Sequence, residues 1–149
     1  MNEDQHQGSI SDLWRALSEE PENGTFHLLA SQAAIALGDF GAASILLRHG
    51  MTLSSPEQWG DPFSGQWVDL RASPRYLNQI GTLRAFLAER PGATYARFLL
   101  AYHWAYTGRM GQAVQELERV LEIDQRDVQA WELLRITESR LEFIPAPLD

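Results

Sequence analysis

Cysteine and lysine are both absent from this 149-residue sequence. Without cysteine, disulfides, thiol catalysis and thiolate-bound metal ions are excluded, and the redox compartment is left undetermined. All 12 cationic side chains are arginines, and they are spread along a chain whose formal net charge is −8. An acidic chain without a basic cluster is poorly suited to phosphate backbones, so we expect no nucleic-acid partner.

Long hydrophobic runs are also lacking. No apolar run approaches the length of a membrane span, and the first residues have no hydrophobic region of the kind found in secretory signals. We therefore expect a cytoplasmic protein with no membrane partner, although removal of a signal sequence would leave the same trace. With 44% hydrophobic and 21% charged residues, the composition is typical of a globular protein, most simply a single domain.

Catalytic and metal-binding patterns are missing as well. The four histidines lie in separate segments and no two of them have metal-ligand spacing, these being His6, His27, His49 and His103. Nucleophile elbows, phosphate-binding loops and paired carboxylates are not found. Because His103 lies in an apolar helical pattern, we interpret it as a packed core histidine. The sequence therefore predicts a protein that is not an enzyme and has no cofactor or metal site.

Two adjoining helical patterns between Thr94 and Asp127 dominate the sequence. The first is almost wholly apolar and aromatic, and the second has apolar residues at helical spacing with charged residues between them. A turn containing Gly108 joins the two patterns. A helix that is apolar all round must be covered on more than one side, so this pair of helices needs neighbours.

The same reasoning along the whole chain predicts seven helices. Apolar spacing and the Gly and Pro breakers place them at about residues 9–20, 25–37, 40–50, 74–89, 94–107, 110–123 and 128–142. Gly50 has the position of a helix-terminating glycine. Residues 1–8 lack any apolar pattern and are expected to be disordered, and residues 143–149 form a proline-containing tail.

The breaking residues recur at a constant interval of 35 positions. They are Pro21, Pro56 and Pro91, and at the predicted turns Gly38, Ser73 and Gly108. Small residues inside the helices keep the same register, since Ala43 and Ala113 lie 70 positions apart. A period in the mid-thirties with two helices in each unit predicts an α-solenoid.

The residues of the unit at 94–127 resemble those of the tetratricopeptide repeat. The matching residues are Arg97-x-x-Leu100-Ala101-x-x-Trp104, Gly108, Ala113-x-x-x-Leu117 and Val120-Leu121-Glu122-Ile123-Asp124. Residues 24–57 are similar to a second repeat, residues 9–23 to a second helix and residues 128–142 to a first helix. The resemblance implies a bacterial type of tetratricopeptide protein with one degenerate repeat. Its fold would be all-α, a right-handed solenoid of about seven helices forming one domain over residues 9–142.

The degenerate repeat lies at residues 51–73. At the repeat period, residues 59–72 should form a first helix, but Gly60, Pro62 and Gly65 oppose a regular helix there. We therefore predict that an aromatic loop replaces this helix, with at most one or two helical turns at residues 66–71. The aromatic side chains of this loop are Trp59, Phe63 and Trp67.

Proteins of this family bind peptides on a concave face built from first helices. The resemblance therefore implies an interaction scaffold that binds a peptide or a partner protein through Tyr95, Phe98, Tyr102 and Tyr106. Trp59, Phe63 and Trp67 form a second set of candidate contacts. Whether the loop covers the aromatic face or leaves it open is not decided by the sequence, because large exposed apolar patches are rare but do occur at binding sites.

Two other functions are left open. One is a small-molecule or lipid-binding pocket under the loop at residues 59–72. The other is a structural subunit, such as a homodimer, that self-assembles through its terminal helices. The candidate self-association stripe lies on the first helix and consists of Ile10, Leu13, Trp14 and Leu17. Nothing in the sequence names the partner.

Overall fold

The computed structural model of the chain describes residue 11, residues 14–64 and residues 73–142, and over these residues the protein is all-α. A short helical segment at residues 14–19 (α1) precedes six longer helices. These are α2 (Gly24–Ala36), α3 (Phe40–Leu53), α4 (Pro74–Glu89), α5 (Thr94–Tyr106), α6 (Met110–Ile123) and α7 (Val128–Glu142). The predicted all-α class is thereby confirmed. Within the described ranges, none of the helices combines the length and apolarity needed to cross a bilayer.

The chain divides into two compact units, Met1–Leu83 and Arg84–Asp149, and α4 contributes residues to both. In the first unit, α2 packs against α3. In the second unit, α5 packs against α6, and α6 packs in turn against α7. Each unit is therefore organised around one helical hairpin.

The two hairpins have the same lengths and the same register. Helices α2 and α5 begin at residues 24 and 94 and have 13 residues each, while α3 and α6 begin at residues 40 and 110 and have 14 each. Their turns contain Gly38 and Gly108, with φ of 77° and 88°, where glycine avoids the strain of a Cβ atom. An equivalent hydrogen bond of 3.0 Å closes each turn, from Asp39 N to Ala34 O in the first hairpin and from Arg109 N to Trp104 O in the second.

A second repeated hydrogen-bond pattern lies at the joints that precede α2, α5 and α7. At each joint, the N–H group of the residue after a helix donates to the carbonyl four residues back, and its own carbonyl accepts from the N–H group three residues ahead. The three joints are Ala16–Glu20–Asn23, Phe86–Arg90–Ala93 and Val120–Asp124–Asp127, with distances of 2.9 to 3.3 Å. Helices α1, α4 and α6 therefore have equivalent positions, and the 70-residue register extends to α1 and α4.

Helix α3 continues three residues past Gly50, the end that the sequence predicts. Gly50 lies where α2 and α3 approach closely, because a Cβ atom on Gly24 would come within 2.9 Å of Gly50 O. A Cβ atom on Gly50 itself would come within 2.9 Å of a methyl group of Leu28. Glycine is thus required at position 50 for helix packing and not for termination. The helix ends at Leu53 and is capped by Ser54, whose N–H and hydroxyl groups both donate to Gly50 O.

The segment between α3 and α4 contains two short 3-10 turns, Pro56–Gln58 and Asp61–Phe63. Trp59, between them, is only 3% exposed, and its indole Nε1 donates to Met51 O at 3.1 Å. In the described part of the predicted loop at residues 59–72, residues 59–64 contain one 3-10 turn and no α-helix, and the replacement of the whole helix stays a prediction. Residues 65–72, which include Trp67 and the predicted turns at 66–71, lie outside the described residues, as do residues 1–10 and 143–149.

Candidate functional site

Helix α5 provides the first predicted contact set, and the structure separates its members by burial. All residues from Ala96 to Ala105 are buried. Phe98 and Tyr102 are 0% and 2% exposed, so neither reaches the surface of the described structure. Tyr106 is half-buried, and Tyr95 is 42% exposed. Of the four predicted contacts, Tyr95 therefore has the largest exposed fraction.

Tyr95 belongs to a group of three side chains, here called the Tyr95 cluster, which consists of Phe86, Arg90 and Tyr95. The rings of Phe86 and Tyr95 meet edge to face with centroids 6.3 Å apart. The guanidinium group of Arg90 lies over the Phe86 ring at 4.4 Å, a distance suited to a cation–π contact. Arg90 is also 3.4 Å from the carboxylate of Glu89. The joint between α4 and α5 thus presents an exposed tyrosine supported by an aromatic ring and a cation.

The other end of α5 carries Tyr106. Its ring lies 5.3 Å from that of Tyr102, and the guanidinium group of Arg140 lies 5.2 Å from the Tyr106 centroid. Arg140 also donates to Ala105 O at 3.2 Å, which holds the α7 side chain against the end of α5. The part of Tyr106 beneath Arg140 is therefore covered within the second unit.

A buried ion pair joins the hairpin of the second unit. Arg97 on α5 donates to the carboxylate of Glu116 on α6, and the two side chains are 9% and 15% exposed. Arg97 also donates to Pro91 O at 2.9 Å. Sequence reasoning included Arg97 in the repeat motif but missed its partner, since spacing alone does not show which acidic residue of α6 faces α5. This pair has a structural role within the hairpin.

His103 is 1% exposed, and burial lowers its pKa to about 3, because an imidazolium ion would lose its hydration in the core. The ring is therefore neutral near pH 7, as expected of a core histidine. Within the described ranges, no group of three or more His, Cys, Asp or Glu side chains has an arrangement that could hold a metal ion.

Two histidines from separate segments meet in the first unit, which sequence reasoning did not foresee. The rings of His27 and His49 stack with centroids 4.6 Å apart and an interplanar angle of 9°. His27 Nδ1 donates to Asn23 O at 2.9 Å, since a carbonyl oxygen can only accept. No spacing along the sequence signals this contact, because His27 lies on α2 and His49 on α3.

The remaining predicted contacts are divided between buried and exposed positions. Trp59 is buried, Phe63 is half-buried and Trp67 lies outside the described residues. In the predicted self-association stripe, Leu17 is 7% exposed and Trp14 is 52% exposed, while Ile10 and Leu13 lie outside the described residues.

Comparison with known proteins assigns no family. No protein-family model matches the chain, and no curated protein has significant sequence similarity to it. Among solved structures, one titled "MamA RS-1 ArsTM double mutant" is similar, with a TM-score of 0.43 and 14% identity. The match covers 93% of this chain and 76% of that chain. Because a TM-score of this size does not establish a common fold, the fold class rests on the helices and repeated hydrogen bonds described above.

Proposed function

We propose that this protein is a non-enzymatic interaction scaffold of the tetratricopeptide type with one degenerate repeat, and that it binds a peptide or partner protein through a surface centred on Tyr95. The observation that carries the proposal is the exposure of Tyr95 at the start of a helix that is buried over the next ten residues.

The chemistry of the cluster suits protein recognition. Tyrosine and arginine are among the residue types most enriched at binding hot spots. The edge contact with Phe86 restricts the Tyr95 side chain before binding, which reduces the entropy that a complex loses. Tyrosine offers a flat apolar body and one hydroxyl group, so the expected partner presents an apolar or proline-containing segment with a hydrogen-bond acceptor beside it.

The buried members of the predicted set have a supporting role in this proposal. Phe98 and Tyr102 cannot touch a partner in the observed conformation, and they hold α5 in place from within the core. Tyr106 is half-buried and is the second candidate contact, on the part of its ring that Arg140 leaves uncovered.

The test is recovery of partners from the native host with the unchanged chain and with Tyr95→Ala. We expect the variant to lose partners, because truncation of a hot-spot residue costs about 2 kcal/mol or more, roughly a thirtyfold loss of affinity. Ile123→Ala is the matched control, since it truncates another exposed hydrophobic side chain of the same unit. Equal recovery by the unchanged chain and by Tyr95→Ala would refute the proposal.

Tyr102→Ala is unsuitable for this test. Tyr102 is 2% exposed, and truncation of a buried aromatic residue commonly costs about 3–5 kcal/mol of folding stability. A loss of partners by that variant would therefore not distinguish binding from unfolding. Nothing in the described loop residues 54–64 favours the small-ligand alternative. Self-assembly through the terminal helices stays a prediction, since Ile10 and Leu13 lie outside the described residues.

A further inference from the structure

A partly enclosed apolar pocket of about 210 Å³ lies in the first unit, between α1, α2 and the start of α3. Trp14 lines it from α1, Ala33 and Ala34 line it from α2, and Leu37 lines it just after the end of α2. Asp39 lines it at the turn before α3 and is exposed. Pockets for drug-sized ligands occupy about 300–1,000 Å³, so this one is suited to a single side chain.

The pocket exists because of alanines at positions that carry large residues in the other hairpin. In the 70-residue register, Ala33 corresponds to His103 and Ala34 to Trp104, and both of these larger side chains are buried in the second unit. The first hairpin is thus built with space for a side chain that its own α2 does not supply.

At the equivalent position of the second unit, an arginine side chain contacts a tryptophan ring. The guanidinium group of Arg84 on α4 lies 5.8 Å from the centroid of the Trp104 ring. In the same register, Trp14 corresponds to Arg84 and Ala34 to Trp104. The tryptophan of this contact thus lies on α1 in the first unit and on α5 in the second unit. Its indole ring is 52% exposed and faces a pocket of alanine methyl groups.

Charge favours a cation in this pocket. The carboxylate of Asp39 accepts a hydrogen bond from Ala42 N at 3.0 Å as the N-cap of α3, and a carboxylate has further acceptor sites. Residues 1–83 contain ten acidic residues and four arginines, so six of the eight net negative charges of the chain belong to the first unit. The first unit as a whole therefore attracts a cationic partner.

We propose that this pocket binds an arginine side chain of a partner protein, with the guanidinium group against Trp14 and beside Asp39, and the aliphatic part against Ala33 and Leu37. Arginine fits better than lysine because its planar group stacks on an aromatic ring and donates in a fixed geometry to a carboxylate. The inference rests on the proposed function in one respect, that the bound arginine belongs to a partner protein. The pocket itself lies in the first unit and does not include the Tyr95 cluster.

Binding is tested by nuclear magnetic resonance on the full ¹⁵N-labelled chain, with blocked pentapeptides Gly-Leu-X-Leu-Gly in which X is arginine or citrulline. Citrulline keeps the shape of arginine but has no charge. We expect the arginine peptide to shift the signals of Ala33, Ala34, Leu37 and the Trp14 indole, and the citrulline peptide to bind at least fivefold more weakly. Equal binding of the two peptides, or no shift at these residues with millimolar arginine peptide, would overturn the proposal.

Three variants identify the site. Ala33→Leu fills the pocket and should weaken the arginine peptide at least tenfold. Asp39→Asn keeps the N-cap, because asparagine caps helices as well as aspartate does, and should weaken binding about threefold through loss of an exposed ion pair. Glu57→Gln removes one exposed negative charge elsewhere in the same unit and should leave binding unchanged. A loss with Glu57→Gln as large as with Asp39→Asn would mean that net charge alone attracts the peptide, against the proposal.

The same variants separate this inference from the proposed function. Suppose that the Ala33→Leu and Asp39→Asn variants bind the same host proteins as the unchanged chain, while Tyr95→Ala loses them. The pocket proposal would then be wrong, and the proposal of a binding surface at Tyr95 would be supported. A second copy of the chain is a competing occupant. A molecular mass that rises with concentration, and that Trp14→Ala returns to the monomer value, would assign the pocket to self-association and overturn the proposal.

Discussion

The buried His103 allows a quantitative prediction of stability against pH. Burial lowers its pKa in the folded state to about 3, against 6.5 for an unperturbed histidine. The unfolded chain therefore binds a proton that the folded chain does not, over the range between those two values. Stability from the neutral ring is fully present above pH 6.5 and is lost as the pH falls towards 3. From these values the loss between pH 8 and pH 5 is about 2 kcal/mol.

The assay is urea denaturation at pH 8, 6.5 and 5 for the unchanged chain and for His103→Gln, which keeps a polar side chain but cannot titrate. We expect the difference in unfolding free energy between pH 8 and pH 5 to be about 2 kcal/mol smaller in the variant. Titration of the His103 ring signal by magnetic resonance gives an independent reading and should show no protonation between pH 8 and pH 5. A midpoint near 6.5, or equal pH dependence of the two chains, would refute the assignment of His103 to the core.

Three further predictions concern the stability of the helices and their packing. Arg97→Met leaves the largely buried Glu116 carboxylate with only the exposed guanidinium of Arg119, 3.8 Å away, and should cost about 3 kcal/mol of unfolding free energy. The double change with Glu116→Leu should recover most of this loss, and additive losses in denaturant titrations would contradict the prediction. Gly24→Ala places a methyl group within 2.9 Å of Gly50 O and should destabilise by about 1–3 kcal/mol. Gly81→Ala, in α4, places a methyl group with no neighbouring side chain or other element within 4 Å and should raise the free energy of unfolding by about 0.5–1 kcal/mol. A lower free energy of unfolding would contradict this prediction.

The sequence contains enough local information to predict the helices and their repetition. Turn glycines at positions 38 and 108 are visible without coordinates, because a positive φ favours glycine and the flanking apolar periods are helical. The broken period at Gly60 and Pro62 likewise predicts that one helix is replaced. These features depend on residues close to one another in the chain.

Features that depend on distant residues were predicted less well. The sequence around Gly50 is compatible both with a helix end and with a close contact between two helices. Only the packing of Gly24 against Gly50 shows that the contact is the reason for the glycine. In α5, a helix that is apolar on all sides does not reveal which side a neighbour covers. The exposure of Tyr95 and the burial of Phe98 and Tyr102 therefore became visible only from the packing of the second unit.

The two hairpins of this chain repeat each other at an offset of 70 residues. Backbone chemical shifts of the full chain in solution test it most directly, since they report helix limits and the sign of φ residue by residue. We expect helices that begin near residues 24, 40, 94 and 110, with positive φ at Gly38 and Gly108. Strand-like shifts in either hairpin, or helix limits that do not superpose at this offset, would contradict the account.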